Sequence, residues 1–387
     1  MPVKMKARYQ FRFYPTSQQQ QSLARLFGCV RVVWNDALAL CKQSEKKPKS
    51  ALLQKIVITQ AKQTEERVWL SEVSAIGLQQ SIADLETAFK NFFESCKGKR
   101  KGRKVCYPKF KKRMRSQSAR LTRNGFSIKG DGVYLAKIGI VKPIWSRQLP
   151  SEPSSVTIIK DPANRYFLSF VVEINPLIVE AKNHSIGIDL GIKTFAVMSD
   201  GTSAQSPKYK QLDRKIRKLQ RKLARQPKDS KRRNKTRIQI AKLHDRIADT
   251  RKDFLHKLST KIVNNNQVIV LEDLNVSGMV KNRKLSRAIS QQGWYEFRVL
   301  CEAKSEKIGR EFRVISRWEP TSQVCSDCGF KWGKIDLSIR SLLCLNCGTQ
   351  QDRDLNAARN ILQVGIGHCH DSKCTQREGK TTCGTSR

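Results

Sequence analysis

Basic or polar residues alternate with apolar ones from Lys6 to Phe13, the two-residue period of a strand. Tyr14-Pro-Thr-Ser17 then supplies a turn and a helix N-cap. Leu23, Leu26, Phe27, Val30, Val33, Trp34 and Leu38 follow at helical spacing, and further helical patterns run through 51–65 and 76–96. In the last of these Leu78, Ile82, Leu85, Phe89, Phe92 and Phe93 form one apolar stripe, which reads as the core of a helix bundle. Between 119 and 175 the period returns to that of strands. Short runs at Phe126–Ile128, Val133–Leu135, Gly139–Val141, Ser155–Ile159 and Tyr166–Val172 are separated by turn sequences such as Gly130-Asp-Gly132 and Asp161-Pro-Ala-Asn164. These runs fit a small barrel that the Lys6–Phe13 strand can join, with the helices of 15–96 inserted into it.

A second region opens at Ser185. Ile186, Ile188 and Leu190 alternate with Gly187 and Asp189, and the chain turns at Gly191 before a second apolar run. Asp189 therefore points away from the isoleucines, and an acid in such a strand costs stability unless something holds it. Residues 208–257 read as two helices broken at Gln226-Pro227, a hairpin expected to pack on the domain that Asp189 begins. Gln267–Leu271 is continuously apolar and ends in Glu272, the pattern of a central parallel strand covered by helices. A helix is expected over 291–308, a strand over 311–316, and a helix carrying Leu355, Ala358, Ile361 and Leu362. The tail from Gly365 to Arg387 is polar, without periodicity, and reads as disordered.

Charge narrows the partners. Lys and Arg number 75 against 33 Asp and Glu, a net +42, which would repel the chain against itself unless a polyanion neutralised it. Residues 97–113 hold ten Lys or Arg and no acid, with Tyr107 and Phe110 among them, a composition suited to phosphate contact and base stacking. The hairpin of 208–257 carries twenty Lys or Arg against five Asp. No apolar run approaches the roughly 18 residues of a membrane span, and Met1–Arg8 has no apolar signal region. The expectation is a soluble protein of the cytoplasm, with no membrane partner.

Of twelve cysteines, four fall in two Cys-x-x-Cys pairs, each followed by glycine: Cys325 and Cys328, then Cys344 and Cys347 after fifteen intervening residues. Four thiolates at this spacing close a tetrahedral, structural Zn²⁺ site. His368, Cys369, His370, Cys374 and Cys383 in the tail are scattered, and a metal site there is the weaker reading. Three acids stand out in the rest: Asp189 within a strand, Glu272 at a strand end, and Asp354 at a helix start. Each alone fits a capping or surface role, and Asp352 and Asp354 both suit the positive end of a helix. Together they offer hard oxygen ligands for Mg²⁺, and two such ions serve phosphodiester hydrolysis. No Gly-x-x-x-x-Gly-Lys phosphate loop is present, which argues against ATP use.

Ile188-Asp-Leu-Gly-Ile-Lys193, Leu271-Glu-Asp-Leu274, Thr321-Ser-Gln ahead of the cysteine pairs, and Asp352-Arg-Asp-Leu-Asn-Ala-Ala-Arg-Asn-Ile361 together resemble the TnpB proteins of insertion sequences. Phe13-Tyr-Pro-Thr16 and Leu85–Phe93 extend the resemblance over nearly the whole chain. It implies an α/β RNase H-like (RuvC) nuclease domain over 181–320 and 351–366, with a zinc ribbon at 321–350 that binds the target nucleic acid. It also implies a wedge-type β-barrel over 1–14 and 110–180, interrupted by a helical recognition domain at 15–109. The catalytic acids then map to Asp189, Glu272 and Asp354, with Asp352 as the alternative third. The implied activity is an RNA-guided DNA endonuclease of a transposable element, working as a monomer with one guide RNA on target double-stranded DNA beside a short adjacent motif. A transposase using the same chemistry, or a non-catalytic nucleic-acid-binding regulator, are the alternatives.

Overall fold

The computed structural model of the chain describes residues 5–100, 104–113, 115–176, 180–181, 183–333, 335–336 and 338–367. They form two compact units, one holding the chain up to Asn175 together with Lys218–Lys242, the other Pro176–Arg217 and the chain from Leu243. Among the described residues no helix is long and apolar enough to cross a membrane.

The first unit starts with β1 (Met5–Phe13) and α1 (Ser17–Gln43). Thr16 starts α1 through a capping box: its hydroxyl accepts from the Gln19 amide, and the Gln19 side chain accepts from the Thr16 amide. The apolar stripe from Leu23 to Leu38 is buried as its spacing predicts. The next expected helix is broken. A short α2 (Ser50–Gln54) passes into a π-helical stretch at Lys55–Gln60 and a 3-10 turn at Ala61–Gln63. Ile56, Val57, Ile58 and Thr59 are four consecutive β-branched residues, whose restricted side chains weaken a regular helix. Next, α3 (Ala75–Cys96) buries Leu78, Ile82, Leu85 and Phe89, and leaves Phe93 exposed.

The strands β2 (Gln117–Thr122), β3 (Phe126–Lys129), β4 (Gly132–Leu135), β5 (Gly139–Val141), β6 (Ser155–Lys160) and β7 (Tyr166–Ile174) follow. They pair as a four-stranded sheet in the order β1-β7-β6-β2 and a three-stranded sheet β3-β4-β5, and an antiparallel bridge from Phe13 to Pro143 ties the chain after β5 back to β1. A 3-10 turn at Arg123–Gly125 redirects the chain between β2 and β3, and a two-residue period does not encode pairing partners. As expected, β1 joins the sheet and pairs with β7 from Met5↔Ile174 to Phe13↔Tyr166. One core, with Phe11, Leu26, Leu78, Leu121, Val156 and Leu168, is shared by helices and strands.

The second unit contains β8 (Asn183–Leu190), β9 (Ala196–Met198) and β10 (Ser203–Ala204), followed by α4 (Lys210–Ala224) and α5 (Lys231–Asn265). The far part of this helical hairpin, Lys218–Lys242, belongs to the first unit, a correction to the expectation that the whole hairpin packs on the second. A helix the length of α5 spans about 50 Å, more than one small domain can cover. Next come β11 (Asn266–Glu272), α6 (Val276–Met279), α7 (Ser286–Gln292), α8 (Trp294–Ile308) and β12 (Glu311–Ile315). The helix expected over 291–308 is divided at Gly293, whose φ of +77° ends α7. The chain finishes with β13 (Ser341–Leu343), β14 (Gln350–Asp352) and α9 (Arg353–Ile366).

The main sheet has the order β10-β9-β8-β11-β12. Strands β8, β11 and β12 run parallel, and β9 turns back antiparallel to β8. Ile186, Ile188, Ile269 and Leu271 form one core with Leu255, Ile262 and Phe297 of α5 and α8. Val268 and Val270 pack on the other face with Ile315 and with Ile361 of α9.

Candidate active site

The parallel register pairs Gly187 with Val270 and Ile188 with Leu271, so the next residues, Asp189 and Glu272, lie side by side at the carboxyl ends of β8 and β11. Residues two apart on a strand share a face. Gly187, Asp189, Val270 and Glu272 therefore all look toward α9. The helix approaches this face closely. A Cβ on Gly187 would lie 2.3 Å from the Ala358 carbonyl oxygen, and one on Gly365 would lie 2.3 Å from Cγ1 of Val270. Asp354 stands one helical turn before Ala358 and so projects from the same side of α9. Close packing at two glycines thus brings the third acid to the two strand ends.

The electrostatics agree with that placement. The carboxyl of Asp189 is pushed up to about 7, first by loss of water and then by the charges of Asp354 and Glu272. Glu272 is also raised by burial, partly offset by the Arg317 guanidinium. Asp352 is otherwise engaged: it is the N-cap of α9, accepting from the amides of Asp354 at 2.9 Å and Leu355 at 3.1 Å. Both oxygens of Asp354 accept from Nη1 of Arg340, at 2.9 and 3.1 Å. Asp273, next to Glu272, is held by Arg298 at 2.5 Å and by Arg317.

Three carboxylates with no nitrogen or sulfur ligand make a donor set suited to Mg²⁺ or Mn²⁺. Their mutual repulsion, expressed in the raised Asp189, is what a divalent cation would relieve. Their oxygens are more widely spaced than the four thiolates described below. Asp354 is turned to Arg340.

The four cysteines are already drawn together. Their sulfurs lie within 4.8 Å of one another, the one group of three or more metal-ligating side chains so clustered among the described residues. Cys325 and Cys347 are 3.8 Å apart and Cys328 and Cys344 3.5 Å. Four sulfurs about 2.3 Å from one tetrahedral centre would stand about 3.8 Å apart, so the site fits zinc. Thr349 hydrogen-bonds the Cys347 thiol and lowers it to about 6, while burial pushes Cys325 up to about 12.

A buried amide cluster ties this ribbon to α9. Asn356 donates to the Val324 carbonyl at 2.8 Å and accepts from the Ser326 amide at 2.8 Å. Asn360 donates to the carbonyls of Thr321 and Val324, both at 2.7 Å. Sequence reasoning missed both asparagines, and with them Arg340 and the close approach at Gly187. The available signal was two asparagines four residues apart on an otherwise apolar helix face, since polar groups there must find partners.

Basic surfaces accompany the site. In the first unit a cleft of about 680 Å³ is lined by Arg31, Arg113, Arg115, Lys160, Arg233 and Arg237 among others. The segment 104–113 is pinned to α1, with Trp34 Nε1 donating to the Lys109 carbonyl at 3.1 Å and Asn35 bonding both backbone groups of Lys111. Residues 101–103 of that basic run, and the tail histidines and cysteines from His368 on, lie outside the described residues.

Residues 169–283 match the OrfB_IS605 family, described as "Probable transposase", and 294–361 match a Cas12f1-like TNB domain. A protein of Streptomyces pristinaespiralis named "Putative RNA-guided DNA endonuclease" is 41% identical across 99% of this chain and 95% of its own length. The chain belongs to the TnpB family. A second TnpB relative, InsQ of Escherichia coli K12, carries the same printed description and is 30% identical over 92% of each chain. The cryo-EM structure of a Cas12f1–sgRNA–target DNA complex shares the fold, with a TM-score of 0.56 at 12% identity over 92% of this chain and 98% of that one. Residues 1–49 also match a segment described as a helix-turn-helix domain. Here that segment of the TnpB chain begins, from Met5, with a strand followed by the single 27-residue helix α1.

Proposed function

We propose that this chain is an RNA-guided DNA endonuclease of a transposable element, cutting target DNA at an RNase H-like (RuvC) site built from Asp189, Glu272 and Asp354. The observation that carries the reading is the convergence of three acids more than eighty residues apart along the chain: Asp189 and Glu272 follow paired residues of β8 and β11, and α9, which carries Asp354 in its first turn, packs directly on Gly187. The names of the relatives support the same activity, as does the shared fold with a Cas12f1 effector.

In this reading the three carboxylates hold two Mg²⁺ ions, which when bound supply an activated water and charge neutralisation for phosphodiester hydrolysis. The chain's own residues prepare the place. Strands β8 and β11 set two acids in register, and α9 swings the third over them. Arg340 pairs with Asp354 and fixes where its carboxylate stands. Cys325, Cys328, Cys344 and Cys347 hold one structural zinc, and the asparagine cluster transmits the ribbon's position to α9. The basic cleft of the first unit and the 104–113 segment suit the guide RNA and the DNA backbone. On this assignment the first unit serves as the wedge and recognition part, the second as nuclease and ribbon. The protein acts as a monomer with one RNA in the cytoplasm.

The test is to purify the protein with its co-bound RNA and supply Mg²⁺ and DNA matching the guide. Cutting that follows the RNA sequence is expected. No cutting, or cutting indifferent to the RNA, would overturn the proposal, and a strand-transfer product would point to a transposase instead.

A further inference from the structure

Trp318 is the most exposed tryptophan of the described chain, 86% open to solvent, although an indole in water is costly to display. Its loop is not slack. It leaves β12 directly after Ile315, which pairs in register with Glu272. The Asp273 amide donates to the Ile315 carbonyl at 3.1 Å, and the neighbouring Arg317 is ion-paired with Asp273. The Trp318 amide donates to the Ser316 hydroxyl at 3.3 Å, and Glu319 closes a turn onto the Ser316 carbonyl at 3.2 Å. At the far end the Thr321 carbonyl accepts from Asn360 of α9 at 2.7 Å. The loop is thus fastened to the strand that carries Glu272 and to the helix that carries Asp354. Trp318 lies three residues beyond the partner of Glu272, at most about 11 Å of chain from it.

We propose that Trp318 is a base-stacking platform: it receives a nucleobase of the DNA strand beside the phosphate to be cut. An open, flat, apolar face on a fixed loop at the rim of an acidic site suits a nucleobase, because every base has a π face and stacking needs no sequence-specific hydrogen bond. Stacking fixes the neighbouring base by shape, so it orients the strand without adding a charge beside the acids and the Arg298 and Arg317 guanidinium groups. Trp318 is in this sense a positioning residue. The inference rests on the nuclease reading above.

The test uses the protein with its co-bound RNA. Trp318→Ala should bind matched DNA as tightly as wild type, because guide pairing dominates affinity, yet cut it roughly 5- to 100-fold more slowly in single turnover. Trp318→Phe should retain most of the rate. Removing the base at one nucleotide beside the cut should slow wild type by the same factor and leave Trp318→Ala unaffected. A wild-type rate in Trp318→Ala, or a deficit that persists whichever base is removed, would overturn the proposal. An independent readout covers a wild-type complex that fails to cut, which would count against the nuclease reading itself. DNA carrying 2-aminopurine at that nucleotide should be quenched on binding wild type and not on binding Trp318→Ala, and equal fluorescence in the two would equally overturn the platform.

Discussion

The backbone of Gly187 lies directly beneath α9, so close that a methyl group there would meet the Ala358 carbonyl oxygen at 2.3 Å and the Leu362 amide nitrogen at 2.6 Å. Both are backbone atoms of a helix and cannot swing aside. The contact sets how far Asp354 stands from Asp189.

Gly187→Ala should therefore lift α9 from the sheet. We expect a loss of about 2–3 kcal/mol in stability, typical of overpacking against backbone, measured by chemical denaturation. Cutting should fall much further than stability, because an acid displaced by 1 Å no longer shares ligands with its partners. A variant with full activity would mean that the third acid is not positioned by this contact.

Asp189 makes a pH prediction. Its carboxyl is raised from the ordinary 3.8 to about 7 in the folded protein. Between those values the native state binds more protons than the unfolded state, so without divalent metal stability should decrease as pH rises from about 4 to 7 and level off above. Asp189→Asn should remove this slope and stabilise the metal-free protein at pH 8 by about 2–3 kcal/mol, a figure discounted for the carboxylate's remaining contact with water. The same variant should bind RNA and cut nothing. Thermal melting across pH, with and without Mg²⁺, checks it; a flat profile for wild type would refute the raised Asp189 and with it the burial and neighbouring charges that raise it.

Cys325→Ser should lower zinc content and loosen the C-terminal part of the second unit. Metal analysis of the purified protein measures this directly, and unchanged zinc would refute the four-thiolate site.

Asn356→Ala should leave zinc in place while loosening the ribbon from α9. It strands the buried Ser326 amide, while the Val324 carbonyl keeps Asn360, costing about 1–3 kcal/mol. Hydrogen exchange in α9 should quicken while the cysteine-bound zinc persists. If exchange is unaltered, the ribbon does not support the helix.

In the first unit, replacing Arg115 and Arg237 of the basic cleft with alanine should weaken RNA binding and reduce its salt dependence by a slope of about 1–2. An unchanged slope would place the RNA elsewhere.

Much of this was readable along the chain. The alternation around Asp189 named its face correctly, because a strand's period is two whatever surrounds it. The apolar stripe of α1 and the two Cys-x-x-Cys pairs were equally plain, since helical spacing and metal-ligand spacing are local. The strand pairing and the hairpin's placement were not. Pairing β2 with β6, and separating β3 to β5 into another sheet, depends on contacts distant in sequence. The run at 51–65 had helical period but β-branched content, and the π-helical stretch reflects that conflict.

The sequence alone determined the inventory: three acids, four thiolates, a large excess of positive charge, and the elements on which each sits. Only the tertiary structure separates the two candidates for the third position. Asp352 and Asp354 look alike at a helix start, but one caps α9 while the other faces Asp189. That difference comes from where α9 crosses β8, at a glycine whose missing side chain makes room for the helix. It also comes from Asn356 and Asn360, which satisfy buried carbonyls of a loop more than thirty residues away. Such choices rest on packing and hydrogen bonding between distant segments, and no local period along the chain can express them.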